Sequence, residues 1–117
     1  MSNPAELELV RKAIASGVVG CVEWDAKVID RLAPDLAKHG LTLADVRKEL
    51  IEHIRNGGEL LQVKEVRTLW KDRRDYWYKA IVPMPKLFKK GLFVEMELND
   101  PDPELPEVRL LNAHEQK

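Results

Sequence analysis

The residues best suited to chemistry cluster between Lys64 and Lys90. That segment holds nine basic residues (Lys64, Arg67, Lys71, Arg73, Arg74, Lys79, Lys86, Lys89 and Lys90) and three acids (Glu65, Asp72 and Asp75). Its net charge is +6 in a chain whose formal total is −1, so the remainder carries −7. Trp70, Tyr76, Trp77 and Tyr78 are interleaved with the cations. Cations beside flat aromatic faces suit phosphate contacts and base stacking. A solvated, twisted hairpin whose lysines keep an exposed edge soluble is the competing reading, and charge alone favours it. Arg73 and Arg74 fall at a predicted hairpin turn, where an arginine fork can hold a phosphate or simply face water. Lys79 lies inside a strand of aromatic and apolar residues and needs a partner, a pocket mouth or an outward orientation. Period-2 alternation puts Trp77 on its face and Tyr76 and Tyr78 on the other, to stack bases or to fill a core. His114 suits a general acid or base, because an unperturbed imidazole titrates near physiological pH, at about 6.5. Its neighbour Glu115 can orient it or act as a base. The plain alternative for both is a polar terminus.

Other chemistry finds little support. His39, His53 and His114 are scattered without a carboxylate at ligand spacing, so no metal and no cofactor is expected. His39 precedes Gly40 and reads as a partner of a helix C-terminus, and His53 as a solvent-facing helical residue. Cys21 is the single cysteine, in an apolar run, and reads as a buried, inert thiol. Trp24 reads as a core anchor. The chain has no phosphate-binding glycine loop, nucleophile elbow or dinucleotide fingerprint.

These residues need a scaffold, and 117 residues with 44% hydrophobic and 33% charged content suit one domain. No apolar run nears a membrane span and the N-terminus lacks a signal-peptide layout, so no membrane contact and a cytoplasmic location are expected. Asn3 or Ser2 caps a helix with Pro4 at its first position, and Gly17 ends it. Val18 to Trp24 is a candidate strand. Asp25 caps a second helix that Pro34 should break or restart, with Gly40 as its stop. Thr42 and Asp45 resemble a capping box, and Gly57-Gly58 closes the third helix. The period then turns to alternation: Leu61 to Val63 or Val66, Tyr76 to Val82 stopped by Pro83-Met84-Pro85, Leu92 to Leu98, and Val108 to Ala113. The expected fold is α+β: N-terminal helices packed on a twisted antiparallel sheet of about four strands, with an extra helix in 1–20, a helical part in 22–58 and the sheet in 59–115.

Two regions resemble a known family. Glu23-Trp24-Asp25-Ala26-Lys27 and Lys38-His39-Gly40 are similar to the "W-D-x-x-K … K-H-G" opening of BrnT-type toxins, which belong to the RelE/ParE-like superfamily. The order helix, hairpin and two strands, ending at Val108 to Glu115, is similar too. The resemblance covers roughly residues 22–115. It implies a metal-independent endoribonuclease that attacks RNA through its own 2′-hydroxyl, neutralised by a cognate antitoxin protein. On that reading the catalytic candidates are His114, Arg73, Lys79 and Glu115. The RNA-binding candidates are Lys64, Arg67, Lys71, Arg74, Tyr76, Tyr78, Lys89 and Lys90. The neutral total charge, and His114 where the family pattern often has arginine, favour an alternative: a non-enzymatic protein-binding or regulatory module on a toxin-like fold. A homodimer joined through the aromatic hairpin is a third reading.

Overall fold

A computed structural model describes residues 2–117. The Asn3 side chain accepts the Glu6 amide, and Pro4 opens α1 (Pro4–Ser16), which Gly17 ends. A three-residue strand, β1 (Val22–Trp24), follows. Asp25 accepts the Lys27 amide to start α2 (Ala26–Ala37). The break expected at Pro34 does not occur, and α2 runs through it. Pro34 and Asp30, one turn before it, are both exposed, so the carbonyl left without its helical donor faces water. Buried Leu32 and Leu36 hold the helix on either side. A capping box between Thr42 and Asp45, closed by bonds of 3.0 and 2.9 Å, starts α3 (Leu43–Arg55). Its last residue, Arg55, donates to the carbonyls of Ala15 (2.7 Å) and Ser16 (3.0 Å) and so caps the C-terminus of α1.

Four strands complete the chain: β2 (Leu61–Lys64), β3 (Tyr76–Met84), β4 (Phe88–Asp100) and β5 (Glu107–Glu115). The sheet order is β1-β5-β4-β3-β2. The expected sheet of about four antiparallel strands is therefore corrected to five strands of mixed direction, because β1 runs parallel to β5 from Val22↔Val108 to Trp24↔Leu110. A three-residue strand is too short for alternation to show, and its partner lies at the far end of the chain. β3 also extends past its expected end at Val82 and includes Pro83. Pro83 sits at a register shift and beyond Lys79, the last residue of β3 paired with β2, so no ladder bond is lost.

All three helices pack on one face of the sheet. Tyr78, Ala80 and Val82 of β3, Leu92, Val94 and Met96 of β4, and Val108, Leu110 and Ala113 of β5 form one core with Val10 and Ile14 of α1, Leu36 of α2, and Val46, Leu50 and Ile54 of α3. Cys21 is buried among them, as its apolar run indicated. Trp24 packs against this core and its Nε1 donates to the Leu43 carbonyl at 3.0 Å. The N-terminal helix is integral to the same core. The Tyr78 hydroxyl donates to Glu6 Oε1 (2.7 Å) and accepts from Gln62 Nε2 (2.9 Å), and Gln62 also exchanges two 2.8 Å bonds with the Asn3 backbone. Among the described residues, no helix is long and apolar enough to cross a membrane.

Gly91 fixes how closely β3 and β4 approach. It stands at φ +90°, and an added Cβ would lie 2.9 Å from both Ile81 Cγ2 and the Val82 carbonyl oxygen. Gly91→Ala is expected to destabilise by roughly 3 kcal/mol, from backbone strain and overpacking together. Gly40→Ala, at φ +73° with open space around it, should cost only about 1 kcal/mol. Urea midpoints of the two variants check the contrast.

Candidate functional site

The sheet face away from the helices carries the chemistry. The register across β3, β4 and β5 builds two full rows on it, Lys79–Glu95–Asn112 and Ile81–Phe93–His114, and alternation adds Trp77 and the Glu97–Arg109 pair to the same face. An extra residue in β5 between Leu110 and Asn112 keeps Asn112 and His114 on this face. Rings run diagonally over it. Trp77 and Phe93 meet edge to face with centroids 6.4 Å apart, and Phe93 stacks on His114 at 4.7 Å with 20° between planes. Lys79 stands opposite Glu95, and His114 is the diagonal neighbour of Glu95, about 7–8 Å away between Cβ atoms. Lys79, predicted from the sequence, thus shares a face with His114. Glu95 and Phe93 were not among the candidates, although their alternation along β4 was the signal that places them there.

The segment between β2 and β3 folds over the Trp77 end of this face. Glu65 is its anchor, with a side chain wholly buried. Arg67 grips it with two bonds, Nε at 2.8 Å and Nη2 at 2.9 Å, and Arg74 Nε adds a third at 2.8 Å. Arg67 Nη2 also reaches Glu95 at 3.0 Å, and Arg74 Nη1 bonds Glu97. The Arg67 guanidinium lies 5.0 Å from the Trp77 ring centre, while Arg73 and Arg74 lie 5.2 and 5.0 Å from that of Trp70. Hydrogen bonds from Arg67 hold the Glu65 carboxyl at about pKa 2 against the upward push of burial. The bond to Glu65 raises the Arg67 pKa in turn.

This arrangement sorts the candidate residues. Arg67 and Arg74 are committed to carboxylates and are not free phosphate forks. Tyr78 is wholly buried, so the expectation that it stacks bases is corrected: its ring is core, and burial raises its hydroxyl pKa. Tyr76, half-buried, packs against the same core with Lys64 5.2 Å from its ring centre. Lys71, Lys89 and Lys90 are exposed. Arg73 borders a separate recess with Trp70, Leu98 and Asn99. Leu98 is five residues along β4 from Phe93, the partner of His114, a span of about 17 Å. Arg73 and His114 therefore do not converge on one group. Glu115 follows His114 at the end of β5, and its carbonyl lies 2.9 Å from His114 Nδ1. Away from this face, His39 meets Phe88 edge on at 4.9 Å. His53, expected to face solvent, is half-buried with Nε2 3.1 Å from the Glu59 carbonyl. The described residues include no group of three or more His, Cys, Asp or Glu able to hold a metal ion.

The Glu65 cluster predicts an acid-sensitive fold. The pKa of Glu65 is lowered from 4.5 to about 2. Its contribution is full above about pH 4.5, where the unfolded carboxyl is also ionised, and is lost as pH falls toward 2. Glu65→Gln should flatten stability across pH 4.5 to 2. It should also cost roughly 3–5 kcal/mol at pH 7, because it leaves two arginines short of a partner. Urea denaturation at several pH values measures both effects.

Comparison of the chain with protein-family models, with curated proteins and with solved structures found no match.

Proposed function

We propose that this protein acts on single-stranded RNA, which lies across the helix-free sheet face, and that it cleaves the RNA without a metal through the ribose 2′-hydroxyl. The observation that carries this reading is the Trp77–Phe93–His114 ring series beside Lys79. Aromatic rings on an open sheet face stack successive bases, and a neighbouring lysine neutralises a phosphate. His114 is exposed and held flat on Phe93, in position to take the 2′-hydroxyl proton. Lys79 then balances charge on the transferring phosphoryl group, the role sequence reading gave to Arg73. The leaving oxygen takes its proton from solvent, because Glu95 is buried and engaged by Arg67 at 3.0 Å.

The likeness to BrnT-type and RelE/ParE-like toxins fits this reading. β1 leads into a helix pair and then into antiparallel strands that end at β5. The first of the motifs that suggested it also has local work: Asp25 caps α2 and Trp24 bonds α3. On this proposal an antitoxin protein would cover the same face. The second reading, a protein-binding module without catalysis, is favoured by the pairing of Arg67 and Arg74 with Glu65, Glu95 and Glu97, which removes two cations from phosphate duty.

A structured RNA incubated with a chelator tests both. The wild type should yield discrete products. His114→Ala should slow cleavage at least 100-fold, and Phe93→Ala should weaken RNA binding by about tenfold. Arg73→Ala should stay within about threefold of wild type, since additive effects fade with distance. Absence of cleavage by the wild type, or equal cleavage by His114→Ala, would favour the binding module.

A further inference from the structure

A recess opens at the edge of the sheet where β1 ends. β1 pairs only with Val108 to Leu110, so β5 beyond that point has no strand on its outer side. The recess lies between this free edge and α2 and has a volume of about 190 Å³. That is below the roughly 300–1,000 Å³ of pockets for drug-sized ligands and suits a single planar ring system. Its floor is apolar: Leu32, Leu36, Phe88 and Leu92. Its rim is polar. Arg31 and Asp35 come from α2, one turn apart, and Asn112 and His114 come from β5. His39, edge on to Phe88, adds an aromatic wall. His114 belongs to both the recess and the ring series, so the recess adjoins that face at the β5 edge.

We infer that this recess is a guanine pocket for one nucleotide of the RNA strand. The inference rests on the RNA reading above and names the base that the site selects. An apolar, aromatic floor takes the ring of any base. The rim discriminates. Guanine presents N7 and O6 to a guanidinium, the commonest specific contact of arginine with a base. Its other edge carries two adjacent donors, N1–H and the 2-amino group, which match the two oxygens of a carboxylate. Arg31 makes no ion pair among the described residues, and Asp35 is engaged only by exposed Lys38 at 3.6 Å. A guanidinium and a carboxylate one helical turn apart can therefore meet both edges of one guanine. Adenine offers a single amino group on its Watson–Crick edge and no O6. Uracil and cytosine lack the paired N7 and O6 acceptors.

Three 2′-O-methylated hexanucleotides, which resist 2′-hydroxyl chemistry, form the test: all uridine, and uridine with one central guanosine or one central adenosine. Fluorescence anisotropy gives their affinities, and guanosine monophosphate is titrated separately. The guanosine hexamer should bind roughly tenfold more tightly than the other two. Asp35→Asn, an exposed change that leaves the core intact, should abolish that preference and leave all-uridine binding unchanged. Arg31→Ala should do the same. Equal binding of all three hexamers by the wild type, or an undiminished guanosine preference in both variants, would overturn the pocket and leave the RNA reading standing. Binding of guanosine monophosphate, weakened in Asp35→Asn, with no binding of any hexamer, would support the pocket and overturn the RNA reading. No binding of either kind would overturn both.

Discussion

The buried carboxylate of Glu65 is the constraint on which the surface chemistry depends. A carboxylate removed from water is stable only when its oxygens are bonded and its charge is paired. Arg67 and Arg74 meet that demand, and neither can do so unless the loop from Glu65 to Asp75 folds back over the sheet. The bond from the Glu65 amide to the Asp75 carbonyl, at 2.9 Å, closes the loop at its base. Once folded back, the two arginines reach Glu95 and Glu97 on β4. Five charged groups thus form one network over the Trp77 end of the face. It carries a formal charge of −1, so the two cations that this loop brings to the sheet are fully matched by carboxylates.

That network divides the helix-free face in two. One end is covered, and its arginines are paired within the network. The other, around Phe93, His114 and Lys79, lies outside the network, with His114 exposed and Phe93 and Lys79 half-buried. The helices could not cover it, because all three bury their apolar stripes on the opposite face against Tyr78, Val94 and Leu110. A two-layer architecture with a single core always leaves such a face, and its composition decides its use. A purely charged face would read as a solvated surface. Here stacked rings lie beside a titratable imidazole and a lysine, which is a surface suited to a strand of bases.

Local signals in the sequence located most of the elements. The caps at Asn3, Asp25 and Thr42 and the stops at Gly17 and Gly57 act within a few residues, so they could be read directly. The alternation in β3 and β4 likewise assigned Trp77 and Lys79 to one face and Tyr78 to the other. What could not be read was non-local. The parallel pairing of β1 with β5 joins the two ends of the chain and leaves no periodic trace. The continuity of α2 through Pro34 depends on burial of Leu32 and Leu36 on either side of it, a tertiary effect that overrides propensity. The site shows the same split. Lys79 was legible as a strand residue of the right type; His114 was legible by type, but the strand expected to end at Ala113 runs on through Glu115. The capture of Arg67 and Arg74 was not, since Glu65 gives no hint in sequence that it is buried, and Glu95 and Glu97 lie on another strand.

The separation of Arg73 from His114 also bears on how any catalysis here must be built. Arg73 is positioned through a loop, beside Trp70, whereas Lys79, Glu95 and His114 rise from three hydrogen-bonded strands. Their relative positions are set by the register of the sheet, and Gly91 and the bulge before Asn112 adjust that register within a few residues of the site. Precision of that kind matters for proton transfer, where misplacement of about 1 Å costs orders of magnitude in rate. The stacking of His114 on Phe93 adds a second restraint, because it fixes the plane of an imidazole that would otherwise rotate freely at an exposed strand end. The sheet, rather than the basic loop, is therefore the element able to hold His114 and Lys79 in one geometry.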